Sequence, residues 1–381
     1  MKILFIGAFN ELSGNMREES SVAGTKVQME IINSFARIYG ESEIESFVLP
    51  EVSTWPNNKL IIRGRRFGRV NSLFTLNLKG VKRFLFSLQI LYQIIKIRPE
   101  FVVQYNTTFL MNVFMSFYKL FCKKRLLILQ DLFFNDKASV REMISPRNLL
   151  AYLNGRTIAK SFDYFIPISE VLIKDLNLPV ERCYIWQGGV TTNNTRMDYS
   201  VRYNNTALFA GALEEYNGVD LLVSAWIKYD IDIELNIFGS GSLASTIAKA
   251  SQENTNIKFH GFKSPAQINE IVGTPLYKLC LRFSKGIDQD YFFPSKFFDL
   301  LYEDGFLVCN KFNNIPKDLK KYLHFVSDDL SDLPKVLNSN SSRIGSVVDQ
   351  KRHYLNKNYT WESFIRQVFQ EISGDFNHDK T

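Results

Sequence analysis

The sequence predicts an α/β protein with two doubly wound, Rossmann-like domains that face each other across a cleft. The chain has 381 residues, the length of two ordinary domains. Short apolar runs alternate with segments of helical periodicity in both halves, a pattern typical of βα units on a parallel sheet. A polar segment without strand signals, 191–205, is the expected linker. We therefore expect domains over 1–190 and 206–358, with a C-terminal helix over 359–381 that returns to the first domain.

Each half supplies six candidate strands. In the first half they are Ile3–Ile6, Ile44–Leu49, Phe101–Gln104, Leu126–Leu129, Tyr164–Ile168 and Tyr184–Trp186. In the second half they are Ala207–Ala210, Glu234–Phe238, Ile257–His260, Leu279–Phe283, Phe306–Cys309 and His324–Val326. The expected helices are Lys26–Ile38, Val81–Ile97, Phe109–Phe121, Val219–Tyr229, Leu243–Gln252, Pro265–Ile271 and Ser295–Tyr302. Ligands of such sheets bind beyond the carboxyl ends of the strands, which here points to the cleft.

Composition excludes several classes of protein. Apolar residues make up 45% and charged residues 22%, which argues against disorder, collagen-like repeats and coiled coils. No apolar run approaches the ~20 residues of a membrane-spanning helix, and the first nine residues are interpreted as a strand rather than a signal peptide. The cysteines are scattered and form no CxxC pair, which predicts reduced thiols of a cytoplasmic protein. They are Cys122, Cys183, Cys280 and Cys309.

Positive charge is concentrated in the first half. Residues 1–190 contain 25 basic and 16 acidic residues, whereas residues 191–381 contain 21 and 23. Within Lys59–Arg125 there are 14 basic residues and one acid, Glu100. Such a segment is typical of a surface that meets nucleic acid, an anionic membrane or an anionic substrate.

The helix expected at Val81–Ile97 favours the membrane among these three. Its apolar positions 81, 84, 85, 88, 91, 92 and 95 follow the helical period, as in helices that lie in a membrane interface. The basic residues expected to face the membrane or the acceptor are Lys79, Lys82, Arg83 and Lys96. The alternative is a core helix with a solvated basic edge. We interpret Arg63–Arg69 as a mobile basic loop and expect no nucleic-acid partner.

The segment Pro294-Ser295-Lys296 precedes an apolar-periodic run and predicts a helix start with Ser295 as the N-cap. Free N–H groups at a helix start, together with the charge of Lys296, are suited to a diphosphate. Asp299 lies one turn further along the same face, where a carboxylate can accept hydrogen bonds from ribose hydroxyls.

This segment ends an ordered series of motifs. Leu208-Phe209-Ala210-Gly211 comes first, then Ile237-Phe238-Gly239-Ser240-Gly241, then His260-Gly261-Phe262 and, near the end, Tyr359-Thr360-Trp361-Glu362. In order and spacing the series resembles the donor-binding half of GT-B glycosyltransferases, particularly the retaining family 4-like enzymes of bacterial polysaccharide synthesis. The first half resembles them more loosely. Ala23-Gly24-Thr25 is similar to their glycine turn, and Gln130-Asp131 stands where they often have His-Asp.

The resemblance implies transfer of a sugar from a nucleotide-sugar donor to a hydroxyl of a glycan or polyprenyl-diphosphate-linked acceptor. It implies retention of configuration, no bound metal or other cofactor, and a cytoplasmic enzyme held peripherally on the inner face of the cell membrane. Lys296, Gln130 and Asp131 are the implied catalytic residues, the last two facing the sugar or the acceptor hydroxyl. The implied donor-binding residues are Gly24, Gly211, Gly239, Gly241, Phe262, Lys263, Arg282, Ser295, Lys296 and Asp299.

Two departures from the family pattern concern its charged residues. After the first strand of the donor half the family usually has Gly-Arg-Leu-x-x-x-Lys-Gly, and here Ala212 and Asn217 replace the two cations. Lys296 is the expected substitute, with Arg282 and Lys285 nearby. The family's two acids, eight positions apart, fall at Tyr291 and Asp299, so only the second is acidic.

Two other functions remain open at this point. The missing cation pair favours a non-catalytic subunit that binds or stabilises a partner enzyme, and another GT-B activity on nucleotide sugars, such as epimerisation, shares the same motifs. Asp288-Gln289-Asp290 has the form of a metal-binding motif in a different glycosyltransferase fold. We do not expect it to bind metal in the loop before Ser295. The sequence leaves the oligomeric state open.

Overall fold

The computed structural model describes residues 1–9, 22–130, 145–191, 203–284, 289–338 and 344–378. The chain divides into two compact units. The first comprises residues 1–188 and 361–381, and the second comprises residues 189–360. Asp131, Lys285 and Asp288 lie outside the described residues, as does most of the expected linker.

The first unit is built on a seven-stranded sheet. Its strands and those of a small separate hairpin are β1 (Ile3–Ala8), β2 (Ile44–Leu49), β3 (Ile61–Ile62), β4 (Arg65–Phe67), β5 (Val70–Ser72), β6 (Thr75–Leu76), β7 (Phe101–Tyr105), β8 (Lys124–Leu129) and β9 (Tyr164–Pro167). The order is β4-β5-β2-β1-β7-β8-β9, and β3 pairs only with β6. Neighbours in the large sheet are parallel except β4 and β5.

The second unit is built on a six-stranded sheet. Its strands are β10 (Asn204–Ala210), β11 (Glu234–Phe238), β12 (Ile257–Phe259), β13 (Pro275–Leu279), β14 (Phe306–Asn310) and β15 (Leu323–Val326). The order is β12-β11-β10-β13-β14-β15, and every pair is parallel. The two parallel α/β sheets confirm the predicted fold class.

Helices connect the strands of both sheets. They are α1 (Val22–Tyr39), α2 (Val81–Ile97), α3 (Phe109–Tyr118), α4 (Pro146–Ser161), α5 (Glu170–Asp175), α6 (Val219–Lys228), α7 (Ala244–Glu253), α8 (Pro265–Val272), α9 (Phe297–Tyr302), α10 (Leu333–Asn338), α11 (Ile344–Asn358) and α12 (Trp361–His378). The last helix belongs to the first unit. There the ring of Phe369 packs 5.2 Å from Phe35 and 4.8 Å from Phe101, and Glu362 forms an ion pair with Arg37.

Apolar strand sequences explain the cores. The inner strands β1, β7 and β8 are buried on both faces, so nearly every residue in them is apolar. In the second unit β13 and β14 are buried along their whole length. Apolar runs of this kind made most of the strands recognisable in the sequence, although not β13.

Two strand predictions were wrong. Tyr184–Trp186 is not a strand, although the N–H groups of Tyr184 and Trp186 donate to the carbonyls of Phe165 and Pro167 beside β9. The other strand ends at Leu279 instead of running from Leu279 to Phe283. Its continuation leaves the sheet because the N–H of Phe283 donates to the carbonyl of Tyr216, in the loop after β10.

Other elements also differ from expectation. β10 begins at Asn204, so the end of the expected linker belongs to the strand. α1 begins at Val22, four residues before the predicted start. The basic segment Arg63–Arg69 contributes to a hairpin rather than a mobile loop, since β4 pairs antiparallel with β5 and Arg69 bonds Asn33 and Glu41.

Candidate functional site

The candidate site lies at the carboxyl edge of the second sheet. All six strands are parallel, so their carboxyl ends meet at one edge, where ligands of such sheets bind. Gly211 follows β10, Gly239 follows β11 and Arg282 follows β13. The predicted donor-binding residues of this unit therefore come from successive loops of one edge.

Two glycines allow the loops after β10 and β11 to touch through their backbones. The N–H of Gly211 donates to the carbonyl of Phe238 at 2.9 Å. Gly239 has φ +143°, and a Cβ placed there would lie 1.7 Å from the carbonyl oxygen of Gly211. A Cβ on Gly241 would lie 2.5 Å from the carbonyl oxygen of Leu213. Glycine is thus required at Gly239 and Gly241 by close packing.

A hydrogen-bonded pair that the motif analysis missed fastens the same two loops. The carboxylate of Glu214 accepts from the backbone N–H of Ser242 at 2.9 Å and from its hydroxyl at 2.5 Å. The hydroxyl bond and then the backbone bond lower the pKa of Glu214. Nothing in the sequence signals this pair, because its members lie 28 residues apart.

Lys296 reaches the end of β10 from a distant turn. Its ammonium donates to the carbonyl of Ala210, and a Cβ on Gly211 would lie 3.0 Å from its Nζ. The residue as a whole is exposed. Protein atoms nevertheless desolvate the ammonium and lower its pKa to about 8, against opposing effects of Cys280 and Asp299.

The prediction that Ser295 is an N-cap was wrong. α9 begins at Phe297, its N-cap position is Lys296, and no side chain caps it. Residues 294–297 form a turn, closed by the N–H of Phe297 donating to the carbonyl of Pro294 at 2.9 Å. Aromatic packing fixes this turn, since the ring of Phe297 lies 5.1 Å from that of Phe293. The six-residue helix offers little macrodipole, so the charge at this point is that of Lys296.

Asp299 and Ser295 flank Lys296. Asp299 lies in the first turn of α9 and is half-buried, whereas Ser295 is exposed on the turn. The carboxylate of Asp299 is close enough to raise the pKa of Lys296. These three predicted residues are therefore neighbours in the structure.

The loop after β12 presents an exposed ring. Phe262 is 72% exposed, and Lys263 beside it is half-buried. Before them, the ring of His260 stacks on Phe238 at 4.4 Å. The Nε2 of His260 lies 2.7 Å from the Asn236 Oδ1, and burial lowers its pKa. The histidine thus supports the loop, and Phe262 is the side chain open to a planar ligand.

The predicted residues of the first unit lie in other settings. Gly24 is inside the first turn of α1 rather than in a turn before it, and its carbonyl accepts from the side chain of Gln28. Gln130 is 8% exposed, and its side-chain amide donates to the carbonyl of Trp186 at 2.9 Å. Its backbone N–H donates to Asn106. Gln130 therefore anchors the end of β8. The predicted catalytic role would require this buried side chain to reach the sugar or the acceptor.

No metal-binding cluster of three or more His, Cys, Asp or Glu residues occurs in the described ranges. Of the Asp-x-Asp motif, Asp288 lies outside these ranges. The carboxylate of Asp290 accepts from the side chain of Asn313 at 2.6 Å.

A second feature, in the first unit, is an exposed apolar stripe on α2. It consists of Val81, Phe84, Leu88, Tyr92 and Ile95, each between 37% and 63% exposed. Their spacing of three and four residues places them on one face. The opposite face is also apolar, and its buried members include Phe86, Ile90 and Ile94. α2 therefore buries only one of its two apolar faces against the core, and the stripe on the other face remains exposed.

The neighbouring helix α3 extends this apolar surface. The Phe114 ring lies 5.8 Å from that of Phe84, and the Tyr118 hydroxyl donates to the Ser87 carbonyl on α2. On α3, Phe117 is 57% and Leu120 77% exposed.

Only some of the predicted basic residues flank the stripe. Lys79 and Lys96 are exposed at its two ends. Lys82 is half-buried and its ammonium donates to the carbonyl of Val52 at 2.9 Å, so it does not face outward as predicted. Arg83 is exposed, but it lies about 200° round the helix from Val81. In the part of the chain that is described, no helix is long and apolar enough to span a bilayer.

No protein-family model matches the chain, and no curated protein sequence matches it. Several solved structures, however, match nearly the whole chain. The lipopolysaccharide outer core galactosyltransferase WaaB has 15% identity and a TM-score of 0.62, over 97% of this chain and 99% of that one. HepE of Anabaena, solved with UDP-glucose, has 12% identity and a TM-score of 0.62 over 98% and 100%. Sucrose-phosphate synthase of Thermosynechococcus elongatus has 10% identity and a TM-score of 0.65 over 99% and 100%.

These structures are GT-B glycosyltransferases, and the similarity extends over nearly the whole of each chain. The chain therefore has the GT-B fold. The identities are too low for the similarity to assign a substrate.

Proposed function

We propose that the protein is a glycosyltransferase that moves a sugar from a nucleotide-sugar donor to a hydroxyl acceptor in the synthesis of a bacterial surface glycan. The observation that carries the proposal is the position of Lys296, on a GT-B fold. Its ammonium lies at the end of β10, beside the glycine-lined contact of the β10 and β11 loops. Ligands of such sheets bind in the crevice beyond the carboxyl ends of the strands, and a cation placed there is suited to the negative charge of a donor diphosphate.

The roles of the neighbouring residues follow from their positions. Lys296 stabilises the negative charge that develops on the nucleoside diphosphate as the bond to the sugar breaks. Asp299 accepts hydrogen bonds from the ribose, and exposed Phe262 with Lys263 contacts the base. We propose transfer with retention and without a metal ion, as the sequence resemblance implies.

Known ligands of similar proteins support a nucleotide-sugar donor. HepE is described in complexes with UDP, with UDP and glucose, and with UDP-glucose. TarM of S. aureus, matched over 76% of this chain with a TM-score of 0.52, is described with UDP and α-GlcNAc-glycerol.

A panel of nucleotide sugars tests the proposal. Purified protein is incubated with UDP-, GDP- and ADP-sugars, with and without glycan and lipid-linked acceptors. Released nucleotide and sugar-containing product are then measured. Release of a nucleoside diphosphate together with a glycosylated acceptor supports the proposal. An isomerised sugar nucleotide without transfer would indicate an epimerase instead. Nucleotide binding without turnover on any acceptor would favour a non-catalytic subunit.

We further propose that the acceptor is presented at an anionic membrane, and that the stripe of α2 with the exposed part of α3 rests on it. Exposed apolar surfaces of this extent mark interaction sites. The exposed Lys79, Lys96 and Lys119 around it complement anionic headgroups, each contributing ~1 kcal/mol near such a surface.

Vesicle sedimentation tests the membrane proposal. We expect binding to vesicles that contain phosphatidylglycerol, weakened by high salt because exposed charges are screened beyond ~8–10 Å. Changing Phe84, Leu88 and Tyr92 to Ser should abolish binding, and Lys79→Glu with Lys96→Glu should weaken it strongly. The matched charge control is Lys82→Glu with Arg83→Glu, which should have a smaller effect because neither residue borders the stripe. Wild-type protein that stays in the supernatant at low salt would contradict the proposal.

A further inference from the structure

The carboxyl edge of the second sheet carries a second cation, Arg282, which follows β13. Its side chain crosses to the loop after β10, where its Nη1 donates to the Oδ1 of Asn217 at 3.0 Å. Its guanidinium also lies over the ring of Tyr216, with 5.1 Å between the Cζ and the ring centroid. Arg282 is thus directed onto the loop that follows β10, and Lys296 bonds the residue with which β10 ends.

The backbone of Arg282 is fixed as firmly as its side chain. Its N–H donates to the Oδ1 of Asn310 at 2.9 Å, and its carbonyl accepts from the Nδ2 of the same residue at 2.8 Å. Asn310 is 1% exposed and also donates to Asp328. Hydrogen bonds hold both the backbone and the side chain of Arg282. Its guanidinium is therefore preorganised, which lowers the entropy cost of binding a ligand.

Arg282 and Lys296 converge on one short stretch of backbone. Lys296 bonds the carbonyl of Ala210, and Asn217, which holds Arg282, donates to the carbonyl of Ala212 at 2.8 Å. These anchor residues are two positions apart, at most about 7 Å between their Cα atoms. Gly211 has no side chain and Ala212 only a methyl group, so this stretch presents little beyond its backbone.

The hydrogen-bond acceptors of both cations are uncharged. Within the described ranges neither Arg282 nor Lys296 forms an ion pair with a carboxylate, and the nearby Glu214 is bonded to Ser242. The acceptors of the two cations are a side-chain amide and a peptide carbonyl. A guanidinium has five donors, and the described bonds use only one of those of Arg282.

We propose that Arg282 and Lys296 together bind the diphosphate of the donor, and that Asn217 and Tyr216 position Arg282 for this purpose. The inference rests on the proposed function and adds the second cation of its site. The arrangement supplies from the β13 loop and the turn before α9 the two charges that the β10 loop lacks. Asn217 is a positioning residue, because it acts on the ligand only through Arg282.

Calorimetric titration with nucleotides tests this assignment. Since the base is unknown, UDP, ADP and GDP are each compared with their monophosphates. We expect Arg282→Gln to weaken diphosphate binding by about 10- to 100-fold, as for loss of a hydrogen bond to a charged group. The ratio of diphosphate to monophosphate affinity should fall with it. Lys228→Gln is the matched control, because Lys228 is exposed at the far end of α6 and also lies over a tyrosine ring.

Asn217→Asp separates positioning from a structural role. The new carboxylate would pair with Arg282 and neutralise it, so diphosphate binding should weaken while the melting temperature stays level or rises. A residue with a merely structural role would show binding and melting temperature falling together. If Arg282→Gln does not fold, Asn217→Asp and Arg282→Lys provide the same comparison.

The outcomes distinguish this inference from the proposed function. If wild type binds a nucleoside diphosphate and neither Arg282→Gln nor Asn217→Asp changes the affinity ratio, the assignment of Arg282 is wrong and the transferase proposal stands. If wild type binds none of the nucleotides, both fall. A selective loss in both variants, with the Lys228→Gln control unchanged, supports the assignment.

Discussion

The two edges of the second sheet hold their cations in different surroundings. At the carboxyl edge Arg282 and Lys296 rest on neutral oxygens. Lys278 of β13 and Lys351 of α11 are each 2% exposed, and their side chains lie against the loop that leads into β14, at the amino edge. That loop contains the acids Glu303 and Asp304.

Acidic residues pair with two of the cations there, Lys278 and Arg352, whereas Lys351 is enclosed by the protein and bonded to carbonyls. The Nζ of Lys278 lies 3.8 Å from the Oε2 of Glu303, and Arg352 forms an ion pair with Asp304 at 3.2 Å. Lys351 donates to the carbonyls of Glu303 and Gly305. Cations that are paired with acids or fully enclosed by the protein serve the fold, whereas cations that bond only neutral acceptors at an open edge are available to a ligand. The number of basic residues alone does not distinguish the two.

The largest expected effect concerns Lys296. Lys296→Ala should lower kcat by about 10- to 1000-fold, because one charged donor to the leaving diphosphate contributes a few kcal/mol. The melting temperature should hardly change, since the residue is exposed. Steady-state kinetics and thermal unfolding, with Lys228→Ala as the control, check both expectations. Full activity in Lys296→Ala would show that Lys296 does not bind the diphosphate. The cations of the two edges would then not differ in function as proposed.

A smaller effect concerns stability and pH at the amino edge. Burial lowers the pKa of Lys278 to about 8, with Glu303 opposing, and burial followed by the charge of Lys278 lowers that of Lys351 to about 7. A lysine in the unfolded chain keeps its proton to about pH 10.4. Above pH 7 the unfolded state therefore binds more protons, so these groups make the free energy of unfolding rise with pH.

Lys278→Met isolates that contribution. Between pH 6.5 and 8.5 Lys278 should contribute a rise of about 1 kcal/mol, which the variant should lack. Denaturant unfolding of both proteins at the two pH values gives the difference. The window stops at pH 8.5 because burial raises the pKa of Cys280 to about 11. Above pH 8.5 the folded state keeps this thiol proton while the unfolded state loses it, which makes the free energy of unfolding fall with pH. Equal slopes for wild type and variant would show that Lys278 titrates normally.

The smallest expected effect is that of a chelator. Arg282 and Lys296 supply two positive charges to the proposed diphosphate site, which is the charge a divalent ion would bring. Activity should therefore survive EDTA within about twofold, a change below 0.5 kcal/mol. Loss of activity that Mg²⁺ or Mn²⁺ restores would assign a metal-binding role to Asp288 and Asp290.

The local sequence pattern predicted most helices and strands correctly but predicted their ends poorly. Most strands of the two sheets were recognisable because parallel strands buried on both faces are largely apolar, but β4 and β5 were not predicted and β13 was placed too late. The continuation beyond Leu279 is equally apolar, yet it leaves the sheet because its N–H groups find acceptors on Asn310 and Tyr216. Ser295 has the sequence of an N-cap, but packing of Phe293 and Phe297 places the helix start two residues later.

The alternation of strands and helices, the glycine turns at the carboxyl edge and the basic residues near it can all be recognised in the sequence. How each basic side chain is used depends on the fold. Lys82 turns inward to a carbonyl, Lys278 is buried beside Glu303, and Arg282 crosses to Asn217, 65 positions earlier. The physical reason is that the effect of a charge depends on its partners and its desolvation, which are set by contacts between residues far apart in the chain.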